Sequence, residues 1–143
     1  MQLLRFMSLF LLCFLPNFTS FAQNNSNSTE DPIETKLNTC MENNPSTMGV
    51  VQCLDTAYLE WDAELNKYYK LLQTVVSKDQ KTSLRTVQLS WIEYRDKEFE
   101  LLQKLYESKE GTMFIPMIVY DKVEIVKHRA LELKSHYSLL TEY

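Results

Sequence analysis

The chain has 143 residues and a formal charge of −4, with 45% hydrophobic and 24% charged residues, the balance of a soluble globular domain rather than a disordered chain. Its two glycines and four prolines are too few for the frequent turns of sandwiches and barrels, and Gly49 and Gly111 stand too far apart for a phosphate loop or a dinucleotide fingerprint. The acidic excess argues against nucleic acid and for a basic partner.

Met1–Arg5 carries one positive charge, and Phe6–Leu15 is an apolar run broken only by Ser8. Pro16 ends that run, and Ser20 and Ala22 put small residues where a signal peptidase reads. This three-part pattern predicts a signal peptide over residues 1–22, and the apolar run is too short to span a bilayer. Cleavage removes Arg5, so the remaining chain has 14 basic against 19 acidic residues, a charge of −5. Cys13 lies inside the apolar run after Leu12, which does not fit a lipidation site. The expected product is exported, periplasmic or secreted, without membrane insertion.

Residues 23–32 contain no apolar side chain and are expected to form a disordered tail ahead of one helical domain over 33–143. Asn24-Asn25-Ser26 and Asn27-Ser28-Thr29 match the glycosylation pattern, which such Asn/Ser runs produce by chance. Cys40 and Cys53 remain after cleavage, with twelve residues between them. In an exported chain they read as one disulfide. A redox pair normally has two intervening residues, and a zinc site needs more ligands. His128 and His136 are too far apart for a helical metal pair, so neither metal nor cofactor is expected.

Helical periodicity fills the rest. A short amphipathic piece covers Ile33–Met41. A long helix is predicted from about Ser46 to Val76, with Val51, Tyr58, Leu65 and Leu72 interleaving with Leu54, Trp61, Tyr68 and Val75 in a heptad pattern. Ser46 is its expected N-cap. A second long helix is predicted over about Lys78–Ser108, with Leu84, Val87, Trp91, Tyr94, Leu101 and Leu105 on one stripe and Gly111 as the stop. The third covers about Ile115–Leu140, with Ile115, Val119, Val123, Val126, Ala130, Leu133, Tyr137 and Leu140 as its stripe. Pro116 fits only in its first turn. Short connections make neighbours antiparallel. The expected fold is all-α: an elongated antiparallel three-helix bundle with a short N-terminal helix pinned by the disulfide. Its oligomeric state stays open.

Catalytic constellations are missing from the pattern. No Ser/His/Asp or Cys/His set can be named, and carboxylates such as Glu60, Asp62 and Glu64 read as a solvated face. What stands out is a polar and aromatic set at helical offsets. Asp62, Asn66 and Tyr69 share a face, with Leu65 beside them, and Gln88, Trp91 and Arg95 step by three and four, with Tyr94 and Asp96 adjoining. Arg129 lies near the last apolar stripe. Two roles fit these residues: an interhelical hydrogen-bond network of Asn66, Gln88 and Arg95 with core aromatics, or a surface for a partner.

Asp62-x-x-Leu65-Asn66-x-x-Tyr69, then Gln88-x-x-Trp91-x-x-Tyr94-Arg95-Asp96 and Arg129-x-x-x-Leu133, resembles the lysozyme inhibitor LprI N-terminal domain family from about Cys40 to Leu133. The resemblance implies a small, exported, helical, disulfide-bonded protein, with lysozyme inhibition in some members. It departs from the family pattern at Phe99, where a cysteine is usual, and near Asp121, where that cysteine's partner is usual. The hinge between the second and third long helices is therefore expected to be less restrained.

Two functions fit. One is lysozyme inhibition: vertebrate lysozymes are strongly basic, and an acidic domain is steered towards one. Ser108, Lys109, Glu110, Gly111 and Thr112, continuing to Met113, form the candidate loop for a cleft lined by two carboxylates, with Lys109 or Thr112 reaching in. The other is an envelope adaptor or accessory protein, including an immunity protein, binding an endogenous or secreted partner. In both the partner is another protein, and no enzymatic activity is expected.

Overall fold

The computed structural model describes residues 31–142, so the expected signal peptide, the glycosylation patterns and most of the expected tail lie outside it. Four helices follow one another: α1 (Pro32–Asn43), α2 (Thr47–Val75), α3 (Lys78–Glu107) and α4 (Phe114–Thr141). There is no strand among the described residues.

Local chemistry sets the ends. The Asp31 carboxylate accepts from Ile33 N–H at 2.9 Å and Pro32 takes the first helical position, so α1 begins just ahead of its first apolar residue. Ser46 Oγ caps α2 by accepting from Gly49 N–H at 3.1 Å. A Cβ at Gly49 would stand 2.7 Å from the Asn44 carbonyl oxygen, so the tight α1–α2 corner needs glycine there. Ser77 and Gln80 form a capping box, Ser77 N–H donating to Gln80 Oε1 at 2.8 Å and Gln80 N–H to Ser77 Oγ at 3.3 Å. Val76 and Ser77 alone join α2 to α3, which reverses the chain. Gly111 adopts φ +108° in the α3–α4 connection, a conformation that disfavours a side chain. Pro116 is the third residue of α4, where its missing N–H costs no helical hydrogen bond.

The core lies between α2 and α4, the closest pair of helices. Leu54, Ala57, Trp61, Leu65 and Leu72 meet Val123, Val126, Ala130 and Leu133, and Ile33 and Leu37 of α1 close one side. Alanine and valine on the facing surfaces let the two backbones approach. Of the expected α2 pattern Leu54, Trp61, Leu65 and Leu72 are buried, Val51, Tyr58 and Tyr68 are half-buried, and Val75 is 42% exposed. The α4 stripe is buried in its middle, while Ile115 and Leu140 at its ends are each 49% exposed. The Cys40–Cys53 disulfide is formed, with Cα atoms 5.8 Å apart, and pins the end of α1 to α2.

Helix α3 corrects one expectation. Its predicted stripe does not point inward: Val87 and Tyr94 are each 53% exposed, Leu101 46% and Leu105 54%. Leu84 and Trp91, on the inner edge of that stripe, do pack against the core. The helix is turned so that Gln88, Arg95, Phe99 and Tyr106 face its neighbours. Two contacts set this rotation: Gln88 meets the buried Arg129 of α4, and the Phe99 ring lies 6.3 Å from that of Tyr58 on α2.

Candidate functional site

The polar residues of the motifs fall into separate groups. Arg129 is 5% exposed and reaches from α4 to α3, its Nε and Nη2 donating to Gln88 Oε1 at 3.1 and 3.0 Å. Its Nη1 donates to Glu132 Oε2 at 2.6 Å, so the buried guanidinium has a carboxylate counter-charge. Leu65 is core, and Tyr69 packs half-buried against it. Asn66 does not cross to another helix in this arrangement: its Nδ2 donates to Asp62 O and Oδ2, both at 2.8 Å, within α2.

Arg95 donates from Nε and Nη2 to Asp96 Oδ1 at 2.9 and 2.6 Å. Its guanidinium lies 5.4 Å from the Trp91 ring centre and 5.9 Å from that of Phe99. Tyr58 of α2 joins this group through its ring, which lies 6.3 Å from that of Phe99. Burial raises the Tyr58 pKa, Arg95 opposes the rise, and Asp62 and Asp96 add to it. The charges of both halves of the motif, Asp62 on α2 and Arg95 with Asp96 on α3, therefore act on one tyrosine. Tyr94 points away and, with Trp91, Ile125, His128, Arg129 and Glu132, lines a shallow depression of about 310 Å³ on the α3–α4 face.

Residues Ser108 to Met113 form the exposed loop at the end of α3. Ser108 Oγ donates to Leu105 O at 2.7 Å, and Lys109 N–H donates to Tyr106 O at 2.9 Å. Beneath it the Tyr106 hydroxyl donates to Asp121 Oδ2 at 2.7 Å, which raises the phenol pKa. That bond spans the hinge at one of the places where the resemblance leads one to look for a cysteine. At the other, Phe99 packs beside Tyr58 and lies 5.5 Å from Lys122 Nζ.

One group has no counterpart in the sequence reading. Trp61 Nε1 donates to Glu34 Oε1 at 3.1 Å, and Lys127 Nζ donates at 2.9 Å to both Glu34 Oε2 and Glu124 Oε1. It ties α1, α2 and α4 together at the opposite end of α1 from the disulfide. Burial acts to lower the Lys127 pKa, but the hydrogen bonds and charges of Glu34 and Glu124 outweigh it and hold the ammonium above its ordinary range. The apolar periodicity around Trp61 announces burial but not the carboxylate, because Glu34 and Lys127 are 93 positions apart.

Among the described residues no group of three or more His, Cys, Asp or Glu is placed to hold a metal ion. His128 and His136 each lie beside a glutamate one turn back, at 3.7 and 3.8 Å, on the exposed side of α4. No described helix is long and apolar enough to cross a membrane. The buried polar contacts hold helices to one another, while the outer side of α3 and the hinge loop are exposed.

The chain is similar to an uncharacterised protein of Rhizobium meliloti strain 1021, 30% identical over a 102-residue alignment, with 62% of this chain and 72% of that one covered. It is also similar to an uncharacterised protein of Burkholderia thailandensis whose crystal structure is known, with a TM-score of 0.73 and 27% identity. That match covers 78% of this chain but 56% of the Burkholderia chain, so this protein spans little more than half of that one. Residues 40–133, from the first disulfide cysteine to the last buried leucine of α4, match the lysozyme inhibitor LprI family, and the chain belongs to it.

Proposed function

We propose that this is an exported protein of the bacterial envelope that acts by protein–protein contact and inhibits lysozyme. The observation that carries the reading is the family match over residues 40–133. The formed disulfide suits an oxidising compartment. A net charge of −5 after loss of residues 1–22 suits capture of a strongly basic lysozyme.

The contact is assigned to the hinge loop, Ser108 to Thr112. It is exposed, it carries a cation on Lys109, and the Tyr106–Asp121 hydrogen bond braces its base. A lysozyme cleft presents two carboxylates, and a donor-bearing loop is complementary to them. The packing of Phe99 against Tyr58 links α3 to α2 and sets where the loop is presented.

The test is lysozyme turnover on a cell-wall substrate with rising amounts of the oxidised protein lacking residues 1–22, at low and high salt. Inhibition near one-to-one that weakens with salt is expected. Unchanged turnover at large molar excess removes lysozyme as the target, and recovery of an endogenous envelope protein from a pull-down would then identify an adaptor.

A further inference from the structure

Helix α3 runs for 30 residues, about 45 Å, yet it buries only Gln88. Val87, Tyr94 and Leu101 recur every seventh residue and Leu105 follows one turn later, so four half-exposed apolar side chains share one face. The inward groups of α3 meet α2 and α4 on a different side of the helix, and nothing among the described residues covers this face.

We propose that the face pairs with the same face of a second copy, the two α3 helices running antiparallel with Tyr94 on the two-fold axis. This rests on the pattern of α3 and not on lysozyme binding. The first half of α3, Lys78 to Ile92, holds Lys78, Lys81 and Arg85 against Asp79, a charge of +2. The second half, Glu93 to Glu107, holds five acidic residues against Arg95, Lys97 and Lys104, a charge of −2. Antiparallel pairing sets each basic half against an acidic one, whereas parallel pairing sets like against like.

The same axis matches side chains position by position. Seven residues either side of Tyr94 are Val87 and Leu101, which meet as an apolar pair. Four either side are Ser90 and Glu98, a hydroxyl donor and a carboxylate. A symmetric contact requires a patch complementary to its own inverted copy, and the α3 face satisfies that at each of these positions.

The experiment is sedimentation of the oxidised chain lacking residues 1–22 over a range of concentrations, combined with cysteine cross-linking. Twice the monomer mass is expected at high micromolar concentration, reverting to monomer in Leu101→Glu with helicity unchanged. Tyr94→Cys should cross-link to itself. A mixture of Val87→Cys and Leu101→Cys should cross-link between the two variants. Val87→Cys alone should not, because its two copies would lie about 21 Å apart along the axis. A monomer at every concentration, or efficient self-cross-linking of Val87→Cys, would overturn the proposal.

Discussion

Gln88 Oε1 accepts two hydrogen bonds from Arg129, joining the only buried residue of α3 to the only buried cation among the described residues. This pair fixes which side of α3 faces α4. Gln88→Ala leaves two guanidinium donors without their partner and is expected to cost about 2 kcal/mol in chemical denaturation. Replacing both, Gln88→Leu with Arg129→Met, should recover much of that loss, because no buried charge then lacks its partner.

The Cys40–Cys53 bridge closes a loop with a sequence separation of 13. In the chain-entropy description such a loop contributes about 3 kcal/mol. Cys40→Ser with Cys53→Ser should lower the melting temperature by a margin that reductant reproduces in the wild-type protein. Hydrogen exchange should show α1 loosening before α2 and α4.

Glu34 anchors the other end of α1. Glu34→Gln keeps the shape but weakens the bonds to Trp61 and Lys127, and is expected to cost about 1–2 kcal/mol. Trp61 emission should change in the folded state, since the indole donor loses a charged acceptor, while Trp91 serves as the internal reference.

Lys127, Tyr58, Tyr106 and Tyr120 all have pKa values held above their ordinary ones. A group raised in the folded state contributes stability that is present below its unfolded pKa and is lost as pH climbs through the folded one. Stability should therefore be flat with respect to these four groups at neutral pH and fall from about pH 10 upward, where tyrosine and lysine ordinarily titrate. Denaturation midpoints across alkaline pH should show a shallower fall in Lys127→Met and in Tyr106→Phe than in the wild type.

Tyr106→Phe also removes the brace beneath the hinge loop. Faster amide exchange over residues 108–113 is expected, with weaker lysozyme inhibition. Lys109→Glu should abolish inhibition without altering the melting temperature, because that side chain is exposed and contributes nothing to the core. Equal inhibition by Lys109→Glu and the wild type would remove the loop from the contact.

The helices, their ends and the disulfide were legible in the sequence because each depends on near neighbours. Ser46 caps a residue three positions on, and the α2 pattern needs only its own repeat. The α3 stripe was legible as apolar but not as outward-facing. Periodicity shows which residues share a face of a helix. Where a polar residue competes for the interior, it does not show which face turns inward.

By itself the sequence determined an all-α chain, its turns, its one bridge and the motifs that carry the family. Only the tertiary structure decided the rotation of α3, the Gln88–Arg129 pair across 41 positions and the Glu34–Lys127 pair across 93. The reason is energetic. A buried guanidinium left without partners costs more than the exposure of a valine or leucine costs, so Arg129 and its acceptor outrank the apolar stripe. That ranking operates only once α3 and α4 have come together.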